Sequence, residues 1–228
     1  MKKLIFLFIV FTQLVNAQIT KPLSDFTKVT SFDQIYVFLI ASDENKIEIS
    51  GSHAESVELV YDNNELKIRM PLDKLLKGND ILAKVYYTKL EAVEANEGSS
   101  IGNYSSISAI NFDILAKEAS TIKLKIDAKK VVARVTQGAT LEISGKSDNL
   151  DIVANAGSIF KSEKCQVNQA VVSVNAGGQA NVNASEFVDA KVRAGGIITI
   201  YGNPKKVNQK TILGGDIILK TDSKSHLN

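Results

Sequence analysis

The sequence predicts an all-β chain wound as a parallel β-solenoid of about seven coils, and three observations carry that prediction. A glycine or alanine returns at Gly98, Ala119, Gly138, Gly157, Gly177, Gly195 and Gly214, at spacings of 18 to 21 residues. A similar phrase precedes each anchor, as in Val93-Glu-Ala-Asn-Glu-Gly98, Val135-Thr-Gln-Gly138, Val153-Ala-Asn-Ala-Gly157 and Val192-Arg-Ala-Gly195. Alternating apolar and polar runs flank the anchors, and beyond residue 90 no amphipathic helical period competes with them. A fixed period near 20 residues marks units that cannot bury an apolar face alone and must stack. Such a scaffold is quasi-one-dimensional and needs no enclosed pocket, which moves the expectation toward binding and away from catalysis.

Taken in chain order, residues 1–17 read as a secretory signal peptide. Lys2 and Lys3 are its basic start, Leu4–Phe11 its apolar stretch and Val15-Asn16-Ala17 its cleavage site. That stretch is shorter than the ~20 residues a spanning helix needs, and no later run reaches that length. No cysteine stands at the cleavage site to carry a lipid. The expectation is an exported, soluble chain starting near Gln18, periplasmic or secreted, with no transmembrane segment and no lipid anchor.

Residues 18–90 read as an antiparallel β meander that caps one end of the solenoid. Ile35-Tyr-Val-Phe-Leu-Ile40 is a dense apolar run, while Lys46–Ser50, Val57–Tyr61 and Leu66–Met70 alternate. Asp62-Asn-Asn is a hairpin signal and Ser42-Asp-Glu-Asn another turn. Residues 71–80 are the one helix-like stretch, of one or two turns. Residues 91–220 hold the repeats, each expected to supply two or three strands of three to five residues. Phe112-Asp-Ile-Leu, Ile122-Lys-Leu-Lys-Ile126 and Leu141-Glu-Ile-Ser144 show the alternation plainly. Coils ~4.8 Å apart give a rod on the order of 30 Å long. The anchors fall at corners, where residues must tolerate unusual φ or lack bulk. Asn96, Asn155 and Asn175, each two residues before an anchor, suit a side-chain ladder that Lys117, Thr136, Arg193 and Ile212 interrupt. Residues 221–228 read as a polar tail.

Composition excludes several function classes. The signal peptide holds two of the 27 basic residues and none of the 25 acidic ones, so the remainder is formally neutral. A nucleic-acid partner calls for a basic excess or stripe, and neither is present. The single cysteine, Cys165, cannot form an internal disulfide and reads as a small, partly buried residue in a turn-like segment. His53 and His226 have no second histidine or cysteine at ligand spacing, so no metal site is expected. The acids Asp113, Glu142, Asp151, Asp189 and Asp216 are scattered singly, unlike the two facing carboxylates of glycoside hydrolysis. No glycine phrase precedes a helix with a Lys-Ser/Thr, so no phosphate loop is expected. With no tryptophan in the chain, Tyr86, Tyr87, Tyr104 and Tyr201 are the aromatic residues open to sugar stacking, against a role in the core. No catalytic, cofactor-binding or metal-binding residue and no cofactor is assigned.

The repeats, with Phe26-Thr-Lys-Val29, Ile47-Glu-Ile-Ser-Gly51 and the closing Ile198-Thr-Ile-Tyr-Gly-Asn-Pro204 ahead of Leu213-Gly-Gly-Asp-Ile217, resemble the head GIN domain family of putative auto-transporter adhesins. The resemblance covers about residues 25–220. It implies a right-handed β-helix shaped like the pectin lyases without their catalytic residues, a role in adhesion and exported proteins of Bacteroidetes-type bacteria. The family brings no catalytic or ligand motif to carry over, and this chain departs from it at Ala119 and in its sparse asparagines. The expected function is a non-enzymatic binding or adhesion domain facing a glycan or a surface protein. The alternatives are a pectin-lyase-like carbohydrate-active enzyme and a scaffold that self-associates in the envelope.

Overall fold

The computed structural model describes residues 18–220, so the signal-peptide reading, His226 and the polar tail lie outside the described residues. The N-terminal strands are β1 (Ile19–Pro22), β2 (Lys28–Ser31), β3 (Tyr36–Ala41), β4 (Lys46–Ser50), β5 (Glu58–Asp62), β6 (Glu65–Arg69) and β7 (Leu82–Tyr87). The repeats supply β8 (Ala92–Ala95), β9 (Ser100–Asn103), β10 (Ile107–Ala116), β11 (Thr121–Val135), β12 (Thr140–Ala154), β13 (Ile159–Asn175) and β14 (Gln179–Arg193). The last coils are β15 (Ile197–Tyr201), β16 (Lys206–Ile212) and β17 (Asp216–Leu219).

The predicted anchors are the corners. Each is the second of two consecutive residues with positive φ, such as Glu97–Gly98, Glu118–Ala119, Gln137–Gly138 and Ala156–Gly157. Two such residues at the centre of a four-residue turn are the type I′ signature. The closing bonds are there: Ala139 N–H donates to the Thr136 carbonyl and Ser158 N–H to that of Asn155, both at 3.1 Å. The same backbone aims the anchor amides along the stack. The N–H groups of Gly98, Ala119 and Gly138 donate to the carbonyls of Glu118, Gln137 and Ala156 in the next coil, at 2.9, 3.0 and 3.1 Å. A turn that satisfies its neighbour's carbonyl is what lets the unit repeat.

Between corners the chain runs as β-ladders on two main faces. On one, β5, β6, β2, β8 and the C-terminal halves of β10 to β14 lead to β16. On the other, β1, β4, β7, β3, β9 and the N-terminal halves of β11 to β14 lead to β15 and β17. The expected short strands are instead continuous ones of 15 to 17 residues in β11 to β14. They bend where alternation breaks, at Lys129-Lys130 and Asn168-Gln169, two adjacent exposed residues each. Parallel pairing with the next coil continues on both sides of the bend, so hydrogen bonding does not stop there. β12 bends a second time at Gly145, whose φ is +103° and where an added Cβ would sit 2.1 Å from the Ile126 carbonyl oxygen. Only glycine allows that approach.

Inward residues stack by register. Ile122, Leu141, Phe160, Ala180 and Ile198 form one buried column, the largest side chain next to the smallest. Each large member contributes ~1.5–3 kcal/mol through burial. Cys165 belongs to this core: it is fully buried within β13 rather than partly buried in a turn.

The N-terminal region contains the expected hairpin, β5 with β6 across Asn63-Asn64, but it is not a sequential antiparallel meander. β4 pairs antiparallel with β1 and β7, whereas β2 with β6 and β3 with β7 are parallel, because these strands already follow the solenoid winding. It also contains a coil the sequence pattern hid. β2 and β3 flank the turn Phe32–Ile35, in which Asp33 and Gln34 have φ of 57° and 66°, and Gln34 N–H donates to the Glu97 carbonyl at 3.0 Å. The buried Asp33 carboxylate accepts the N–H groups of Met70 and Leu76, both at 2.9 Å, and pins the segment after β6 over this coil. Residues 71–80 hold only a short 3-10 turn, Leu72–Lys74, and a second lies at Ala54–Ser56.

Candidate functional site: an aromatic strip on one solenoid face

The run Ile35–Ile40 is apolar on both faces of its strand, and that is the origin of the site. Val37 and Leu39 point into the core and are buried, which leaves Tyr36, Phe38 and Ile40 on the outside of β3. Register places Phe38 beside Lys84 of β7 on one side and Gly102 of β9 on the other. A Cβ on Gly102 would lie 3.0 Å from the Tyr36 hydroxyl, so the phenol lies across bare backbone of the next coil. The ring centroids of Tyr36 and Phe38 are 6.4 Å apart, and those of Phe38 and Tyr104 are 4.9 Å apart with a 59° tilt. Tilted pairs at this range stabilise by ~0.5–1.5 kcal/mol.

Tyr104 is 83% exposed, on a turn that is anchored to the next coil. The Asn103 amide donates to the carbonyls of Ser105 and Lys125 at 2.8 and 3.0 Å, and accepts the Lys125 N–H at 2.8 Å. One side chain thus ties the Tyr104 turn to the neighbouring coil. Tyr86 extends the strip, half-buried, with the Lys46 ammonium 4.7 Å from its ring centroid. Burial and the adjacent Tyr104 raise the Tyr36 hydroxyl above its ordinary value; burial and the Glu48 charge do the same for Tyr86. Both phenols are therefore neutral hydrogen-bonding groups at physiological pH. Exposed clusters of large apolar side chains mark interaction surfaces.

Of the four tyrosines singled out from sequence, Tyr104 and Tyr86 join this strip. Tyr87 is core, and Tyr201 is half-buried on β15, away from the other two. Tyr36, Phe38, Gly102 and Asn103 are additional to the sequence reading. The signal for the first two was an apolar strand with no polar alternate face. No sequence signal marks Gly102 or Asn103, whose roles come from neighbours in other coils.

Apart from the strip, a concavity of about 990 Å³ runs along the bend between the faces and includes Glu91, Asp113, Asp127 and Asp148. Its acids are mostly paired with lysines: Asp127 with Lys146 at 3.3 Å, Asp148 with Lys129 at 3.3 Å and Glu91 with Lys89 at 2.6 Å. Among the described residues Asp113 has no ion-pair partner. Elsewhere Lys28 bridges Glu94 and Glu65 at 2.6 and 3.1 Å, and Lys117 adds a contact to Glu94 at 3.3 Å. Asp189 and Asp216 are exposed and Glu142 and Asp151 half-buried; register places Asp113, Asp151 and Asp189 in one outward column, each two coils and ~10 Å from the next. His53 is half-buried beside the Ala54–Ser56 turn. Among the described residues no group of three or more potential metal ligands occurs, and no helix is long and apolar enough to cross a membrane. Burial pushes the Cys165 thiol up to about 12.

Residues 25–204 match the family model described as "Putative auto-transporter adhesin, head GIN domain". No curated protein matches the sequence significantly. Among solved structures, a putative adhesin from Bacteroides fragilis NCTC 9343 superposes with a TM-score of 0.83 at 15% identity, over 90% of this chain and 96% of that one. A putative adhesin from Parabacteroides merdae ATCC 43184 gives 0.69 at 14% identity, with the same coverage. A putative lipid binding protein from Parabacteroides distasonis ATCC 8503 gives 0.67 at 15% identity, again over 90% and 96%. At these identities the likeness is one of fold.

Proposed function

Because the chain belongs to the head GIN domain family of putative auto-transporter adhesins, we propose that it is an exported, non-enzymatic binding domain that holds a glycan against the Tyr36–Phe38–Tyr104 strip. The signal-like residues 1–17 support export to the periplasm or beyond. The observation that carries the reading is Tyr104, 83% exposed, braced 4.9 Å from Phe38 and anchored through Asn103. A sugar ring has an apolar C–H face and a wet hydroxyl edge. It suits a strip of rings bordered by hydroxyls and lysines, where one side of the ligand stays in water.

Self-association through the β16 edge of the last described coil has less support, although β17 beside it exposes Ile218 and Leu219. The inward positions of β16 opposite Ala190 and Val192 are Gln209 and Thr211, and Lys206 and Lys210 stand on its outer side. Polar and lysine-bearing edge strands discourage strand addition.

The chain has no tryptophan and six tyrosines, three of them in the strip, so the part of the tyrosine emission change that Tyr104→Ala removes reports on the strip. Titration with cell-surface oligosaccharides is expected to change that emission. Tyr104→Ala and Phe38→Ala should each weaken binding about tenfold, the equivalent of ~1.4 kcal/mol. Saccharide binding unaffected by both substitutions, or no saccharide binding, would overturn the proposal.

A further inference from the structure

Resting on that reading of the strip, we infer that its ligand is an acidic saccharide, with a sugar ring on Phe38 and Tyr104 and its anionic groups held by Lys84 and Lys125. The charges around the rings are unevenly compensated. Lys46 pairs with Glu44 at 2.7 Å and Lys123 with Glu142 at 3.3 Å. Lys84 and Lys125 make no ion pair among the described residues.

Lys84 has an acid directly opposite it in the antiparallel β4–β7 ladder, Glu48, and still does not pair with it. The Glu48 carboxylate instead lies against Tyr86. Lys84 is also the register neighbour of Phe38, so its side chain leaves the sheet next to the central ring of the strip. On the opposite flank Lys125 is outward-facing and exposed, in the coil to which Asn103 fastens the Tyr104 turn.

The order β7, β3, β9, β11 puts these lysine-bearing strands three steps apart, with the rings between them. At ~4.8 Å per step the separation of the strands is ~14 Å, the reach of a short oligosaccharide. A neutral glycan would use the rings and leave both ammonium groups unanswered. A chain carrying carboxylates or sulfates would answer both, through charge-assisted hydrogen bonds.

The test compares three probes on the intact chain: a linear oligouronate, its fully methyl-esterified form, and a sulfated oligosaccharide of matched length. The expected result is at least tenfold tighter binding of the oligouronate or the sulfated probe than of the ester, weakening as salt is raised. Which anion binds better identifies carboxylate or sulfate as the natural group. Lys84→Met and Lys125→Met, both at solvent-accessible positions, should each reduce the acid-to-ester ratio severalfold. Tyr104→Ala should weaken all probes that bind. Equal binding of acid and ester, both lost with Tyr104→Ala, would overturn the acidic preference and leave the strip reading standing. An acid preference untouched by either lysine substitution would also overturn it, and binding of no probe would overturn both.

Discussion

Ala119 and Gly138 occupy the same corner position in consecutive coils, and exchanging their residue types should move stability in opposite directions. Ala119 has a φ of 58° and Gly138 one of 71°, and each donates its backbone N–H to the next coil, at 3.0 and 3.1 Å. Those bonds do not depend on the side chain. Both positions are exposed, and a Cβ built on Gly138 meets nothing within 4 Å, so neither packing nor a clash enters the comparison. What remains is the backbone. An L-residue in the left-handed region costs ~1–2 kcal/mol. Glycine in the unfolded chain gives back ~0.4–1 kcal/mol of that through its extra freedom. Mid-range values leave ~0.8 kcal/mol in favour of glycine.

Ala119→Gly should therefore stabilise the chain by that amount and Gly138→Ala should destabilise it by the same. In urea the midpoints would move ~0.2–0.5 M in opposite directions at unchanged slope. A destabilising Ala119→Gly, or a neutral Gly138→Ala, would refute the claim that φ alone selects the anchor residue.

Three further outcomes are expected. Asn96 is fully buried with neither amide atom bonded, whereas Asn175 donates to Asn155 at 2.7 Å; Asn96→Val should raise stability by ~1–2 kcal/mol in chemical denaturation, and a loss would show an unseen partner. Burial raises the Glu94 carboxyl, but Lys28 and Lys117 outweigh it and hold the group below its ordinary 4.5. A lowered folded value means stability present above about 4.5 and lost as pH falls through the folded value. Glu94→Gln should flatten that acid limb of a stability–pH curve, and an unchanged limb would remove the network from the explanation. Cys165, buried and pushed up to about 12, should resist alkylation in the folded chain and react at the ordinary rate in denaturant; rapid native labelling would contradict its core position.

Much of the fold was legible because the corners repeat a conformational requirement and conformational requirements select residue types. The period found seven anchors and missed Asp33-Gln34, which has the same positive φ pair without glycine or alanine. There the turn is held by burial of the Asp33 carboxylate on two backbone amides, a tertiary effect that no local spacing encodes. The bends in β11 to β14 looked like strand ends because two exposed residues in a row interrupt alternation, yet pairing with the next coil carries each strand through. Cys165 looked turn-like between Lys164 and Gln166, but those are its outward neighbours in an alternating strand.

The strip was hidden for a related reason. A strand apolar on both sides ordinarily means burial on both sides. β3 has only one covered face, and the cover expected over the other is missing because β9 offers Gly102 where a side chain would shield Phe38. The neighbouring coil, not the strand's own sequence, leaves Phe38 half-buried and Tyr36 partly exposed across bare backbone. Repetition fixes the neighbours within each column of a solenoid, so a deviation in one coil changes the surface of the next. Gly102, Asn103 and Tyr104 are consecutive, and together they bare the ring, anchor the turn and add the exposed phenol. Gly102→Val should displace the Tyr36 ring, with its hydroxyl 3.0 Å from the Cβ position, and weaken saccharide binding while the core beneath, Val37 and Leu39, stays intact. Full binding by that variant would place recognition elsewhere on the solenoid.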